Sequence, residues 1–172
     1  LEIPQYKSPV VDGVRQATPW VSNPDNIKDF LETGYTTTTN LAIIGGYTDA
    51  NFRLSYTNMT QKGMLPNTDY KKNTLAFGGS ANATDRLNIS GTVNYVNANS
   101  ENLPSYGYDA QNVFQQFLWA ARQVYYPDLK QYRNPDGSLY NWNYNFHNNP
   151  YFTLNENLNT LNRDRVYGNA KV

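Results

Sequence analysis

The feature that most constrains the fold of this chain is an alternation of apolar and polar residues over residues 36–99. In one stretch Phe52, Leu54 and Tyr56 are separated by single polar residues. Successive side chains of a β-strand point to opposite faces, so this period of two predicts strands with one apolar and one polar face. The repeated Asn, Ser and Thr of the polar face need water or polar neighbours.

Turn residues divide residues 36–99 into two β-hairpins. Four segments have the alternating pattern: Thr37–Gly45, Asn51–Lys62, Tyr70–Asn82 and Arg86–Asn97. Residues 46–50, with Asp49, and residues 83–85, with Asp85, provide short turns. The connections at 63–69 and 99–162 are longer. Short turns on one side and long loops on the other are typical of bacterial outer-membrane β-barrels.

The rest of the chain is assigned to loops and one further strand. Residues 1–35 are rich in proline and are expected to form a loop, with a short helical turn at residues 26–33. Residues 100–162 are expected to form a long extracellular loop. Residues 163–172 are expected to begin the next barrel strand.

A helix is predicted within the long loop, near residues 109–125. Its apolar side contains four residues at helical spacing: Val113, Phe117, Ala121 and Val124. Asp109 is the predicted N-cap, and Pro127 is expected to end the helix.

The composition also favours a membrane barrel over a compact soluble domain. Only 39% of the residues are hydrophobic, yet 15% are aromatic and 15 are tyrosines. Soluble cores seldom show this mixture, whereas barrels carry aromatic girdles at both membrane interfaces around a polar interior. The predicted fold class is therefore all-β, an antiparallel transmembrane barrel segment with long extracellular loops, one of which contains a short helix.

Charge and hydropathy exclude several other classes of protein. The 14 basic and 14 acidic residues give a net charge of zero, so nucleic acid is not an expected partner. No apolar run approaches the roughly 18 residues of a transmembrane helix. The chain begins at Leu1 without the features of a signal peptide, so an internal fragment of a longer protein is expected.

No constellation of residues supports catalysis, and an enzyme is not expected. His147 is the single histidine, and no cysteine or second histidine provides a metal-ligand spacing. Asp49 and Asp136 lie in turn sequences without the carboxylate series of a calcium loop. No nucleophile has a candidate base. Catalytic, cofactor and metal residues are therefore predicted to be absent.

The candidate recognition residues are aromatic side chains among amides in the long loop. They are Trp119, Tyr125, Tyr126, Tyr140, Trp142, Tyr144, Tyr151 and Phe152. Aromatic faces stack on sugar rings or peptide side chains, and amides donate and accept hydrogen bonds. Four interpretations stay open: the internal core of the folded loop, part of the outer aromatic girdle of the barrel, contact with a ligand, and contact with a lid protein. Arg53 is a candidate lumen-facing residue, since a charged side chain that faces lipid destabilises a barrel by a few kcal/mol.

Six short motifs in order resemble the SusC/RagA family of TonB-dependent outer-membrane transporters from Bacteroidetes. They are Thr18–Gly34, Asn40 before the strand that ends in Gly45–Gly46, Phe52–Tyr56, Lys62–Asn67, Asn148–Tyr151 and Arg165–Gly168. The resemblance implies a segment of a roughly 22-stranded barrel. It also implies an importer of oligosaccharides or peptides, with a SusD-like surface lipoprotein and TonB as partners and outer-membrane lipid around the barrel. The TonB box and the plug that contacts TonB are missing from these residues.

Two alternatives of a different kind remain at this point. A soluble all-β carbohydrate-binding module would pack the apolar faces of the same hairpins against a second sheet. A structural barrel would have the same wall without transport. Loop aromatics and amides suit glycans and peptides equally, so the sequence leaves the solute open.

Overall fold

Nine strands and three α-helices make up the computed structural model, which describes every residue from Leu1 to Val172. The strands are β1 (Glu2–Pro4), β2 (Val10–Val11), β3 (Val14–Arg15), β4 (Ala17–Pro19), β5 (Tyr35–Tyr47), β6 (Ala50–Lys62), β7 (Asp69–Thr84), β8 (Leu87–Ser100) and β9 (Leu161–Lys171). The helices are α1 (Asn26–Phe30), α2 (Val113–Trp119) and α3 (Pro150–Glu156), with a 3₁₀ helix at Tyr126–Lys130. No helix combines the length and the apolar character needed to cross a bilayer.

The alternating segments form one five-stranded antiparallel sheet with the order β5-β6-β7-β8-β9. Each strand pairs with its neighbour in the chain, and strands account for 46% of the residues. The prediction of a mostly antiparallel β fold is therefore confirmed. Both hairpins occur, and each has a two-residue turn: residues 48–49 in the first and residues 85–86 in the second.

The strands are longer than the sequence pattern predicts. β5 continues through Gly46 to Tyr47, which pairs with Ala50, so the first turn is shorter than the predicted connection at 46–50. β9 begins at Leu161, which pairs with Ser100. Ladder hydrogen bonds extend each strand beyond the residues whose side chains alternate, because pairing requires only the backbone.

The long-loop helix is shorter than the prediction of residues 109–125. α2 ends at Trp119, because Ala120 is extended with φ −67° and ψ 136°. The N-cap is Asn112, whose side chain accepts a hydrogen bond from the Phe114 amide at 3.1 Å. Asp109 instead accepts from the Gln111 amide in a turn. Pro127 lies inside the following 3₁₀ helix rather than ending α2.

Residues 1–35 contain more structure than the predicted loop. β1 pairs with β4, and β2 pairs with β3 through a turn at Asp12 and Gly13, whose φ values are 49° and 78°. Two positive φ values are the geometry that a tight hairpin turn requires. The predicted helical turn occurs as α1, although it ends at Phe30 rather than Thr33.

The chain divides into two compact units. The sheet unit comprises residues 34–63, 69–103 and 160–172, and the loop unit comprises residues 1–33, 64–68 and 104–159. The core of the loop unit is Phe30, Leu65, Val113, Val124, Tyr126, Leu129, Tyr151 and Leu154. The Phe30 ring meets the rings of Tyr151 and Phe117 edge-on, with centroids 4.7 and 5.1 Å apart. Such pairs each add about 0.5–1.5 kcal/mol beyond burial of area.

Candidate functional site

One face of the five-stranded sheet, here called the apolar face, is uncovered. Strand register places Leu41, Tyr56, Leu75, Tyr95 and Val166 in one row across all five strands. The exposed fractions of these five side chains lie between 43% and 69%. The next row is Ile43, Leu54, Phe77, Val93 and Gly168. Large contiguous apolar surfaces of this kind mark a surface that meets lipid or protein.

The apolar face ends at a row of polar residues, here called the polar border. Its members are Thr39, Asn58, Asn73, Asn97 and Asp164. The Tyr56 hydroxyl donates to Asn73 Oδ1 at 2.7 Å, and the Tyr95 hydroxyl donates to Asp164 Oδ1 at 2.6 Å. At the opposite end Tyr47 lies beside the first turn and is largely exposed. Tyrosines therefore lie at both ends of the apolar face.

The other face of the sheet, here called the polar face, carries amides, hydroxyls and cations. Asn51 Nδ2 donates to Ser80 Oγ at 2.8 Å, and Asn40 Nδ2 donates to Thr57 Oγ1 at 2.6 Å. Its charged residues are Arg53, Lys72, Arg163, Arg165 and Lys171. No Asp or Glu of the five strands lies on this face. Arg53 is exposed, and it pairs with Ile44 of β5 on one side and with Gly78 of β7 on the other.

Close backbone approach explains one glycine of the apolar face. A Cβ atom at Gly168 would lie 2.3 Å from the Thr92 carbonyl oxygen. Gly79, Gly91 and Ala81 form the floor of an open groove of about 790 Å³ on the same face, with Phe77 as one wall. The apolar face is therefore uneven: large side chains protrude from it, and a groove lies where the residues are small.

Two of the candidate aromatic residues belong to the core of the loop unit. Tyr126 and Tyr151 are buried, with exposed fractions of 2% and 8%. Burial raises the pKa of both phenols. The Tyr126 hydroxyl is buried without a hydrogen-bond partner. These positions match the interpretation of the rings as loop core.

Five further candidates lie around this core or near it. Tyr140 and Trp142 pack against it partly buried. Phe152 lies 5.7 Å below the Arg133 guanidinium, which also bonds Glu156 at 2.9 Å. That bond lowers the pKa of the Glu156 carboxyl. The other two candidates are Tyr125, which precedes the 3₁₀ helix, and Tyr144, which is exposed. The Tyr144 hydroxyl accepts a hydrogen bond from the backbone amide of Asn141.

The eighth candidate, Trp119, lines a cleft beside α2. This aromatic cleft has a volume of about 370 Å³ and is lined by Tyr108, Ala110, Gln115, Trp119, Phe146 and His147. Gln115 and Trp119 are four residues apart on α2, so they lie on one side of the helix. The structure brings only this one of the eight candidates to the cleft.

His147, which lines the aromatic cleft, stacks on two tryptophan rings. The imidazole of His147 stacks on Trp142 with centroids 5.5 Å apart and on Trp119 at 6.4 Å, with interplanar angles of 11° and 24°. Asn141, which is buried, holds this segment by donating to the carbonyl oxygens of Asn143 and His147. His147 is not among the predicted recognition residues, because a single histidine without a second ligand indicates no metal site. Its closeness to two tryptophans depends on tertiary structure.

One polar group of the aromatic cleft is not satisfied within the chain. Gln115 Oε1 is buried without a hydrogen-bond donor. No charged residue lines the cleft. The arrangement can therefore offer ring faces and neutral polar groups to a ligand.

The sequence matches no described protein-family profile, and no curated protein is significantly similar to it.

Proposed function

We propose that the five-stranded sheet is part of the wall of a transmembrane β-barrel in the bacterial outer membrane. The apolar face would meet lipid and the polar face an aqueous interior. The observation that carries this proposal is the uncovered apolar face, which crosses all five strands and has tyrosines at both ends. Aromatic girdles at the two interfaces of a barrel have this arrangement.

The length of the apolar face fits a membrane. On β8 the face runs from Leu87 to Tyr95, and it includes Ile89 and Val93. At about 3.4 Å per residue this segment is about 27 Å long, or about 21 Å along the axis of a barrel whose strands tilt by about 40°. The apolar band of outer-membrane barrels is about 25 Å tall, and tyrosine rings at the edges extend the face.

The distribution of charge supports the same orientation. Between the Tyr47 end and the polar border, the apolar face has no charged residue, whereas the same span of the polar face has three cations, Arg53, Arg165 and Lys171. An arginine or lysine at the lipid midplane destabilises a barrel by about 2–4 kcal/mol. Arg53 is thus consistent with an aqueous interior and not with lipid.

The soluble sandwich explains these observations less well. It needs a second sheet over the apolar face, yet β1–β4 are only two or three residues long. Large side chains such as Leu41 and Ile43 stay exposed. A membrane removes them from water at about 25 cal/mol per Å² of apolar area without a covering sheet.

We further propose that the barrel is a TonB-dependent importer of the SusC/RagA kind. The ordered motifs from Thr18–Gly34 to Arg165–Gly168 support this step, together with the contrast between two-residue turns and a connection of 60 residues between β8 and β9. An oligosaccharide or peptide would enter under a SusD-like lipoprotein, with energy supplied through TonB. The protein would transport its solute without breaking a bond in it.

Fractionation of the source membranes tests the proposed function. The polypeptide that carries this sequence should be in the outer membrane as a heat-modifiable band on the order of 100 kDa, the size of a large barrel with its plug. A water-soluble product close to the 19.6 kDa of this chain would overturn the proposal. It would favour the sandwich module instead.

A further inference from the structure

We propose that the aromatic cleft beside α2 binds a sugar ring of an uncharged oligosaccharide. The inference deepens the proposed import function and rests on it for its biological meaning. It assigns one solute class, glycan rather than peptide, to one set of residues: Tyr108, Gln115, Trp119, Phe146 and His147.

The first reason is that the rings of the cleft are presented to solvent instead of packed away. The exposed fractions of Tyr108 and Phe146 are 88% and 78%, and Trp119 is more than half exposed. The loop unit has a core that buries other aromatic residues, such as Tyr126 and Tyr151. The exposure of the cleft rings is therefore not explained by the absence of a core. Aromatic faces of this kind stack on the C–H face of a pyranose.

The second reason is the polarity of the lining. Its polar side chains are a phenol, a carboxamide and an imidazole, and no Asp, Glu, Lys or Arg belongs to it. Phenol and imidazole groups both donate and accept hydrogen bonds, as the hydroxyls of a sugar do. A charged peptide or an acidic sugar would lose hydration in this cleft without meeting an opposite charge.

The third reason is an unsatisfied polar group. Gln115 Oε1 is buried without a donor. A buried acceptor left unpaired is costly, so its presence requires an explanation. A ligand hydroxyl that reaches Gln115 from the cleft, with a rotation of the carboxamide, would supply the missing donor.

The size of the cleft sets the extent of the contact. Its volume of about 370 Å³ lies near the lower end of the range of about 300–1,000 Å³ that is usual for small-molecule sites. The cleft is open, so it suits one part of a longer chain whose remainder continues into solvent. Stacking on Trp119 would hold the ring, and the polar groups would select its hydroxyl pattern.

The test measures binding by the full-length protein purified in detergent. The probes are an array of neutral oligosaccharides built from glucose, galactose, mannose or xylose, and an array of uncharged peptides. Trp119→Ala and Tyr108→Ala are compared with the matched controls Leu118→Ala and Tyr106→Ala. Both control side chains are at least 84% exposed, and neither lines the cleft.

The proposal predicts retention of at least one neutral oligosaccharide, with affinity reduced about tenfold by each cleft variant and unchanged in the controls. Retention of no oligosaccharide would overturn it, as would binding that Trp119→Ala leaves intact. Retention of peptides alone at the cleft would also overturn it. In each of these cases a band in the outer membrane would still support the barrel, so the two proposals fail separately.

A second variant separates binding from structure. Gln115→Leu removes the carboxamide and keeps a side chain of similar size. If the carboxamide serves a ligand, oligosaccharide affinity falls about tenfold while the melting temperature stays unchanged or rises, because an unpaired acceptor is lost. A lower melting temperature with unaltered affinity would assign Gln115 to the fold and would contradict its proposed role.

Discussion

The Tyr95 hydroxyl donates a hydrogen bond of 2.6 Å to Asp164 Oδ1 across the β8–β9 pair. Asn97 Nδ2 donates to the same carboxylate oxygen at 2.9 Å. The Tyr95 ring belongs to the apolar face, whereas its hydroxyl reaches the polar border. A tyrosine with an apolar ring and a wet hydroxyl suits the level at which lipid chains give way to headgroups.

Charge placed on adjacent residues of β6 should affect the protein very differently. Leu54 lies on the apolar face and Ser55 on the polar face. If the sheet is the proposed barrel wall, Leu54→Arg should destabilise the protein in a bilayer by about 2–4 kcal/mol, because the guanidinium would meet lipid. Ser55→Arg, the matched control, should change stability by less than about 1 kcal/mol. Urea unfolding in liposomes measures both, and equal effects would contradict the assignment of the faces.

Asn149 should be the most sensitive amide of the loop unit. It is fully buried, and its Nδ2 donates to the carbonyl oxygens of Leu129 and Tyr140 at 2.8 and 2.9 Å. Its Oδ1 caps α3 by accepting from the Tyr151 amide at 2.8 Å. Asn149→Ala leaves these groups unpaired and should cost about 3 kcal/mol.

Hydrogen exchange of the α3 amides measures this loss. Protection should fall by about two orders of magnitude in Asn149→Ala. The control is Asn145→Ala, because Asn145 is exposed. Normal protection in the Asn149 variant would show that the side-chain hydrogen bonds of Asn149 do not hold the helix.

Removing the hydroxyl of Tyr126 should not harm the loop unit. The hydroxyl is buried without a partner, and burial raises the pKa of the phenol. Tyr126→Phe removes an unsatisfied polar group while keeping the ring against Phe30, so it should stabilise the unit by about 1 kcal/mol. Tyr151→Phe is a control in the same core. Thermal unfolding followed by near-ultraviolet circular dichroism tests this, and a marked loss of stability in Tyr126→Phe would contradict it.

Acid should loosen the contact between Arg133 and Glu156. The hydrogen bond from Arg133 lowers the pKa of Glu156 in the folded chain, so this carboxylate favours folding above its unfolded pKa. That contribution is lost as pH falls through the folded pKa. Arg133→Met should raise the pKa of Glu156 in a carboxyl-carbon NMR titration. An identical titration curve in the variant would show that the pair does not form in solution.

The strands could be predicted from sequence because their signal is local. Alternation such as that of Phe52, Leu54 and Tyr56 is set by strand geometry alone, and the turns at Asp49 and Asp85 are marked by their own residues. The predicted ends of the strands are less accurate, since backbone pairing continues past the last alternating side chain.

The long loop was harder to predict because its folding depends on distant contacts. The apolar spacing of Val113, Phe117 and Val124 suggested one helix, yet the chain turns after Trp119. Val124 and Tyr126 then reach the same core as Val113 from a non-helical segment. A periodic pattern cannot distinguish these two ways of burying the same side chains.

The aromatic cleft could be predicted only in part. Trp119 was a candidate because it is aromatic and lies among amides. His147 is 28 positions away, and only the folded loop brings the two rings into a stack. Tyr108 and Gln115 have no local signal at all, since an exposed tyrosine and a helical glutamine are ordinary residues in a sequence.

Lipid contact at two neighbouring positions of β7 tests the barrel most directly. The chain contains no cysteine, so Phe77→Cys and Ala76→Cys each place one spin label within it, on the apolar and the polar face respectively. In the full-length protein in bilayers, a label at residue 77 should collide with lipid-soluble oxygen far more than with a water-soluble nickel chelate. A label at residue 76 should not show this preference for oxygen. A label at residue 77 that is shielded from oxygen, as beneath a second sheet, would contradict the barrel.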